Sequence, residues 1–170
     1  MKVLFLCTAN SCRSILAEAI FNHLAPAEMR AFSAGSKPKG VVHPLSIRAL
    51  HRAGIDSTGL HSKSHVVHQN LHPDLVITLC DSAAAEPCPS YFGDAVKIHW
   101  GLPDPDGQGG SQAEVDAVFD QTVANIRRRI NAFLSLPLAR VEVQELRVEL
   151  LAIGRTADAV QNRAEPLNSV

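Results

Sequence analysis

The first 24 residues constrain this chain more than any other stretch. An apolar run, VLFL, leads into Cys7, and eight residues after that cysteine the sequence continues as ILAEAIFNHL. Residues 2–6 are too few for a helix and too continuously apolar for a strand with one wet face, so they read as a strand buried on both sides. Residues 14–24 place Ile15, Leu16, Ala19, Ile20 and Leu24 at helical spacing. A buried strand passing through a tight loop into a helix is the opening of a parallel, strand-helix-strand architecture.

The rest of the chain repeats that alternation. Residues 30–34 form a short strand closing at Gly35, followed by a loop over 36–42 rich in Gly, Pro and Lys. Residues 44–53 read as a helix with Pro44 in its first turn and Gly54 just past its end, the usual asymmetry of helix termini. DLVITL, residues 74–79, is a second fully buried strand, and residues 96–99 a weaker one. Residues 111–135 form a long helix. Ser111 and Glu114 stand in capping-box spacing, and Val115, Val118, Phe119, Ile126, Ile130 and Phe133 make one apolar stripe. The expected fold is α/β, a four-stranded parallel sheet with helices on both faces. Ligands of such sheets bind at the carboxyl ends of the strands, which puts Cys7 and Cys80 on one edge.

Residues 1–136 account for this domain. Residues 137–170 form an extension: a helix over 138–153, with Leu146, Leu150 and Ile153 at helical spacing and expected to pack back on the domain, then a polar tail from Gly154 expected to be disordered. The formal charge of −1 over 170 residues gives no global attraction to nucleic acid, and Arg127 to Arg129 read as the solvated face of a helix. No apolar stretch approaches the roughly 20 residues that cross a membrane, and the run after Met1 is too short for a signal peptide. A cytoplasmic location is expected. Four cysteines in such a compartment argue for redox, catalytic or metal chemistry rather than a disulfide framework.

The segment CTANSCRS, Cys7 to Ser14, has the chemistry of an anion-binding nucleophile. Small residues between a strand and a helix start allow successive backbone N–H groups, those of Thr8, Ala9, Asn10, Ser11 and Cys12 onward, to converge on one point. Arg13 adds a planar guanidinium able to grip two oxygens of a tetrahedral oxyanion, and Ser14 can donate a hydrogen bond to the sulfur of Cys7. Only about 3% of an ordinary thiol is ionised at pH 7, and a helix N-terminus with a cation favours the thiolate by roughly 3 kcal/mol. The loop therefore holds an oxyanion and arms a nucleophile against it.

These residues closely resemble the oxyanion loop of the low-molecular-weight protein tyrosine phosphatases, and more closely still the arsenate reductases that share that fold. The resemblance extends through SAG (Ser33 to Gly35), AGID (Ala53 to Asp56), DLVITLCDSAAAEPC (Asp74 to Cys88) and HWGLPDP (His99 to Pro105), and covers residues 1–136. It implies a three-cysteine relay. Cys7 attacks arsenate, Cys80 attacks Cys7 and releases arsenite, and Cys88 moves the disulfide to Cys80–Cys88, within a loop over 81–89. Phosphate or sulfate would compete as oxyanions. Thioredoxin is the implied reductant; Cys80 and Cys88 stand eight apart where the best-known thioredoxin-linked members have seven, which keeps glutaredoxin with glutathione as an alternative. No cofactor and no metal are implied.

The resemblance also assigns supporting roles. Asp104, before Pro105, stands in the place of the general acid, with Asp106 as a nearby competitor. Asn10 would brace the loop against Ser33. Some relatives bind potassium beside this brace through counterparts of Asn10, Glu18, Ser33 and an aspartate; alignment puts Lys63 in the aspartate's place, where its ammonium would replace the ion. Cys12 either packs or forms a protective disulfide with Cys7. The competing reading is a phosphatase using Cys7, Arg13 and Asp104. Such an enzyme has no need of Cys80 and Cys88, and an aromatic content of 5% offers few walls for a phosphotyrosine ring. A third reading is an oxyanion-sensing or partner-binding module without catalysis.

Overall fold

The computed structural model describes residues 1–107, 109–138 and 140–161. Strands β1 (Lys2–Cys7), β2 (Arg30–Gly35), β3 (Leu75–Thr78) and β4 (Val96–His99) form one sheet in the order β2-β1-β3-β4, with every pair parallel. Helices α1 (Arg13–Leu24), α2 (Pro44–Arg52), α3 (Asp81–Ala85), α4 (Gln112–Leu134) and α5 (Val143–Gln161) alternate with or follow the strands. Two 3-10 turns, His65–His68 and Ser90–Phe92, complete the chain path. The expected four-stranded α/β sheet is therefore present.

The register fixes which side chains share a face. Val3, Leu75 and Val96 are partners, as are Leu4, Val76 and Lys97, so odd positions of β1 and β3 face one way and even positions the other. Val3, Phe5, Leu75 and Ile77 pack with Leu16, Ile20, Leu50, Phe119, Ile130 and Phe133 in the main core, built from α1, α2 and α4. Leu4, Leu6 and Val76 form a smaller core with Ala34 and Phe92, covered by the 3-10 turns and loops. Both faces are covered, but very unequally. The continuous apolar runs of β1 and β3 follow from burial on both sides.

Local signals at the helix ends act as read. The side chain of Ser111 accepts from Glu114 N–H, and Glu114 accepts from Ser111 N–H, closing the capping box of α4. Pro44 opens α2, and Gly54 follows its end with φ +70°, a conformation that glycine adopts without a Cβ penalty.

Three expectations change. Residues 81–89 are not all loop, because an alanine-rich segment closes the short helix α3, with Cys80 as its N-cap. The extension helix begins at Val143 rather than 138, and it does not stop at Gly154 but continues to Gln161; residues 162–170 of the expected tail lie outside the described residues. Gly154 is tolerated inside the helix because a Cβ there would meet Trp100 Cδ1 at 3.0 Å and the His99 carbonyl oxygen at 3.3 Å. Its bareness lets the helix lie against β4. Finally, Arg129 is not solvated. It is 1% exposed and donates to the carbonyls of Gly101 at 3.0 Å and Gly154 at 3.4 Å, tying α4 to the end of β4 and to α5.

Helix α5 thus packs back on the domain. Leu146 and Leu150 enter the main core, and the Trp100 indole N–H donates to the Leu150 carbonyl at 2.8 Å. Fully buried Leu150 gives a direct test. Leu150→Ala is expected to cost about 3 kcal/mol, seen as a lower urea midpoint with unchanged slope. An unchanged midpoint would show that α5 carries no share of the core.

Candidate active site

The loop from Thr8 to Cys12 joins the end of β1 to the start of α1. Its carbonyls are tied down by the segment that follows β2: Lys37 N–H donates to Thr8 O, Lys39 N–H to Ala9 O and His43 N–H to Ser11 O. Gly35 allows this close approach, since a Cβ there would stand 2.4 Å from Thr8 O. With the carbonyls engaged on that side, the amide of Asn10 is free to donate to Cys7 Sγ at 3.1 Å.

Asn10 holds the loop together. Its φ of +44° is a left-handed conformation that asparagine tolerates better than most residues. Its buried side chain uses both amide hydrogens and its oxygen: Nδ2 donates to Ser14 Oγ and Ser33 Oγ, each at 2.9 Å, and Oδ1 accepts from Lys63 N–H at 2.7 Å. Because Ser14 Oγ accepts from Asn10, its own hydrogen is left for Cys7 Sγ at 2.9 Å. Two donors therefore face the sulfur and favour negative charge on it.

Behind the loop, Ser33 Oγ donates to Glu18 Oε2 at 2.5 Å. The Lys63 ammonium donates to Glu18 Oε2 at 3.2 Å, Ser33 Oγ at 3.3 Å and the His61 carbonyl at 3.0 Å, which uses all three of its hydrogens. Lys63 and Glu18 side chains are only 9% and 14% exposed. Asn10, Ser33, Glu18 and Lys63 thus meet as the alignment suggests.

Arg13 points at the acid loop. Its NH1 donates to Leu102 O at 3.0 Å and its NH2 to Asp104 Oδ2 at 2.7 Å. Asp106 is held elsewhere: Lys39 Nζ donates to its Oδ2 at 3.1 Å, and His43 Nε2 lies 3.3 Å from its Oδ1. His43 Nδ1 accepts from Leu45 N–H, so its hydrogen is on Nε2 and faces Asp106. The Lys39 hydrogen bond, with His43 beside it, holds the Asp106 carboxyl below the usual carboxylate range. Cys7, Arg13, Lys39, Asp104 and Asp106 line a bowl of about 30 Å³, with no aromatic residue among its walls.

The other cysteines come to the same edge. All four are free thiols. Cys80 is buried at the end of β3; its Sγ lies 3.5 Å from Thr8 Oγ1, beside Cys7, and accepts from Ala83 N–H at 3.4 Å. Cys88 is partly buried and lines, with Cys7, a cavity of about 370 Å³ whose walls include Thr78, Ala83 and Ala84. Cys12 is buried, and burial pushes its thiol up to about 11, which suits packing rather than reactivity.

Two histidines near the site pair with side chains distant in the sequence. His99 bridges Thr78 Oγ1 at 2.9 Å and Asp81 Oδ1 at 3.3 Å, on either side of Cys80. His65 Nδ1 is hydrogen-bonded to Tyr91 OH. These pairs are 21, 18 and 26 residues apart, and no local spacing signals them. Among the described residues, no group of three or more His, Cys, Asp or Glu side chains is arranged to hold a metal ion.

Comparisons with known proteins agree with this geometry. An arsenate reductase of Halalkalibacterium halodurans is 37% identical over 133 residues, 77% of this chain and 93% of that protein. A solved structure of an arsenate reductase in the phosphate-binding state is 30% identical, with a TM-score of 0.66, over 79% of this chain and 96% of the other. A thioredoxin-dependent arsenate reductase of Corynebacterium glutamicum is 27% identical, with a TM-score of 0.52, over 76% of this chain and 61% of the other. The model of the low molecular weight phosphotyrosine protein phosphatase family matches residues 2–148, and the chain belongs to that family.

Proposed function

We propose that this protein is an arsenate reductase that converts arsenate to arsenite by a relay through Cys7, Cys80 and Cys88. The observation that carries this reading is the convergence of three thiols at one sheet edge, where a phosphatase needs one. Thr8 Oγ1 beside Cys7 is within reach of Cys80, and Cys7 and Cys88 line one cavity. The arsenate reductases among the relatives support it.

In this mechanism an arsenate anion enters the bowl and competes for Arg13. The Cys7 thiolate, favoured by Ser14 and the Asn10 amide, attacks arsenic, and Asp104 protonates the departing oxygen, which leaves as water. Asp106 is poorly suited to that step, because Lys39 and His43 keep it a carboxylate. The Cys80 thiolate then attacks Cys7 Sγ. The electron pair of the sulfur–arsenic bond stays on arsenic, which leaves as arsenite, and a Cys7–Cys80 disulfide remains. Cys88 attacks Cys80, returns Cys7 as thiolate and leaves Cys80–Cys88 for an external thiol to reduce. Each disulfide requires Cα atoms within about 7 Å at the moment it forms. Thioredoxin is the reductant of this reading, supported by a similar structure named as thioredoxin-dependent, with glutaredoxin and glutathione as the alternative.

The phosphatase reading keeps Cys7, Arg13 and Asp104 but leaves Cys80 and Cys88 without work. A bowl of about 30 Å³ with no aromatic wall suits a free oxyanion better than a tyrosine phosphate.

Three outcomes test the reading. With arsenate, thioredoxin, thioredoxin reductase and NADPH, the native chain turns over steadily, while Cys88→Ser stops at about one arsenite per protein. If neither thioredoxin nor glutaredoxin with glutathione supports arsenite formation, the reductase reading fails and the phosphatase takes its place. Asp104→Asn is expected to slow formation of the first adduct roughly 100-fold in single-turnover experiments; a native rate would remove Asp104 from the chemistry. Because Lys63 fills the cation position, arsenate turnover is expected to be the same in potassium and tetramethylammonium buffers of equal ionic strength. Marked stimulation by potassium would show that the ammonium does not replace an ion.

A further inference from the structure

Helix α5 reaches the catalytic arginine through a short chain of contacts. Leu150 O accepts from the Trp100 indole, and Gly154 O accepts from Arg129, which also donates to Gly101 O. Trp100, Gly101 and Leu102 are consecutive, and Leu102 O accepts from Arg13. Asp104 follows two residues later and pairs with the same guanidinium. Every link is at 3.4 Å or less, and Trp100 and Arg129 are each 1% exposed.

Beyond Asp104 the acid loop is tied down through Asp106, which is held by Lys39 and His43 and whose amide donates to Asp104 Oδ1 at 3.2 Å. Behind it, between Leu102, Pro103, Asp104 and the α4 residues Thr122 and Asn125, lies a cleft of about 310 Å³. The Asp104 side chain is 53% exposed. The loop is therefore held at its Trp100 end, by Thr78 O at the end of β3, by Leu79 O just past it and by the α5 contacts, and at its far end by Lys39 and His43 on Asp106, with a hollow behind Asp104 between the two. Leu150 and Gly154 lie beyond the residues the family model matches, so this support belongs to the extension.

We propose that α5 is a brace for the acid loop, with Trp100 and Arg129 as positioning residues that hold Leu102 and Asp104 against Arg13. The braced loop does two things. It keeps a carboxylate at the rim of the bowl, where it competes with an incoming oxyanion for the guanidinium, and it keeps that carboxyl where the first chemical step needs it. Loosening the brace separates these effects: the oxyanion binds more tightly and the chemical step slows. The second effect rests on the arsenate reductase reading; the first rests only on the bowl being an oxyanion site.

The test uses the full chain in two variants. Gly154→Ala puts a Cβ against Trp100, and Trp100→Phe keeps a ring but removes the indole donor. Calorimetric titration with inorganic phosphate is expected to show about threefold tighter binding in both, the scale of one exposed ion pair. Arsenite released per alkylatable Cys7 is expected to fall about tenfold. In an Asp104→Asn background, most of the gain in phosphate affinity should vanish, a coupling that general loosening of the fold would not produce. Unchanged or weaker phosphate binding in both variants would overturn the proposal, as would an undiminished gain in the Asp104→Asn background. Should phosphate binding shift as expected while no variant or native chain reduces arsenate, the brace stands and the reductase reading alone falls.

Discussion

One side chain amide organises this site. Asn10 spends both amide hydrogens and its oxygen on three partners from different parts of the chain: Ser14 on α1, Ser33 on β2 and the Lys63 backbone in the following loop. The backbone conformation at Asn10 costs free energy in most residues, and these three bonds hold it in place. The consequence reaches the sulfur. Ser14 accepts from Asn10, so its single hydrogen faces Cys7, and the Asn10 amide does the same. The donors that face Cys7 are in this sense set by the brace rather than by the cysteine.

That dependence explains why the lysine behind the loop matters. An anionic Glu18, mostly buried and hydrogen-bonded to Ser33, needs a counter-charge, because an uncompensated carboxylate out of water is costly. Lys63 supplies it covalently and fills the remaining hydrogen-bonding sites on Ser33 and the His61 carbonyl. A tethered ammonium does not exchange with solvent.

Much of this was legible in the sequence, for identifiable reasons. The buried strands announced themselves through continuous apolar runs, and α4 through its capping box and stripe. The site loop was legible because its residues are contiguous: strand, small residues, Arg13 and Ser14 lie within 13 positions. What escaped was set by contacts between distant residues. Arg129 carried a surface signature but is buried, because two carbonyls, on Gly101 and Gly154, wait for its guanidinium. Gly154 signalled a helix end, yet the helix passes through it because Trp100 occupies the space a side chain would fill. Helix α3 was hidden in a stretch that chemistry suggested should be mobile, and Cys80 caps it with its own sulfur. Both the acid-loop partners and the Cys80 surroundings depend on pairings of 18 residues or more, which no local pattern records.

The same contacts distinguish two neighbouring aspartates, of which the resemblance favours Asp104 as the acid and leaves Asp106 as its competitor. Asp104 and Asp106 flank one proline in a turn, and either could reach the bowl. Asp106 is held from two sides, by Lys39 and by a histidine whose tautomer is set by the amide it caps, so its charge is fixed by residues outside the reaction. Asp104 is held by Arg13, the group an oxyanion must recruit. On the proposed reading, an oxyanion at Arg13 takes the partner of Asp104 and leaves those of Asp106 alone. A carboxylate that loses its cation as an anion arrives beside it is pushed toward protonation at the moment a proton is needed. On the proposed reading, the acid is the aspartate that shares its cation with the substrate.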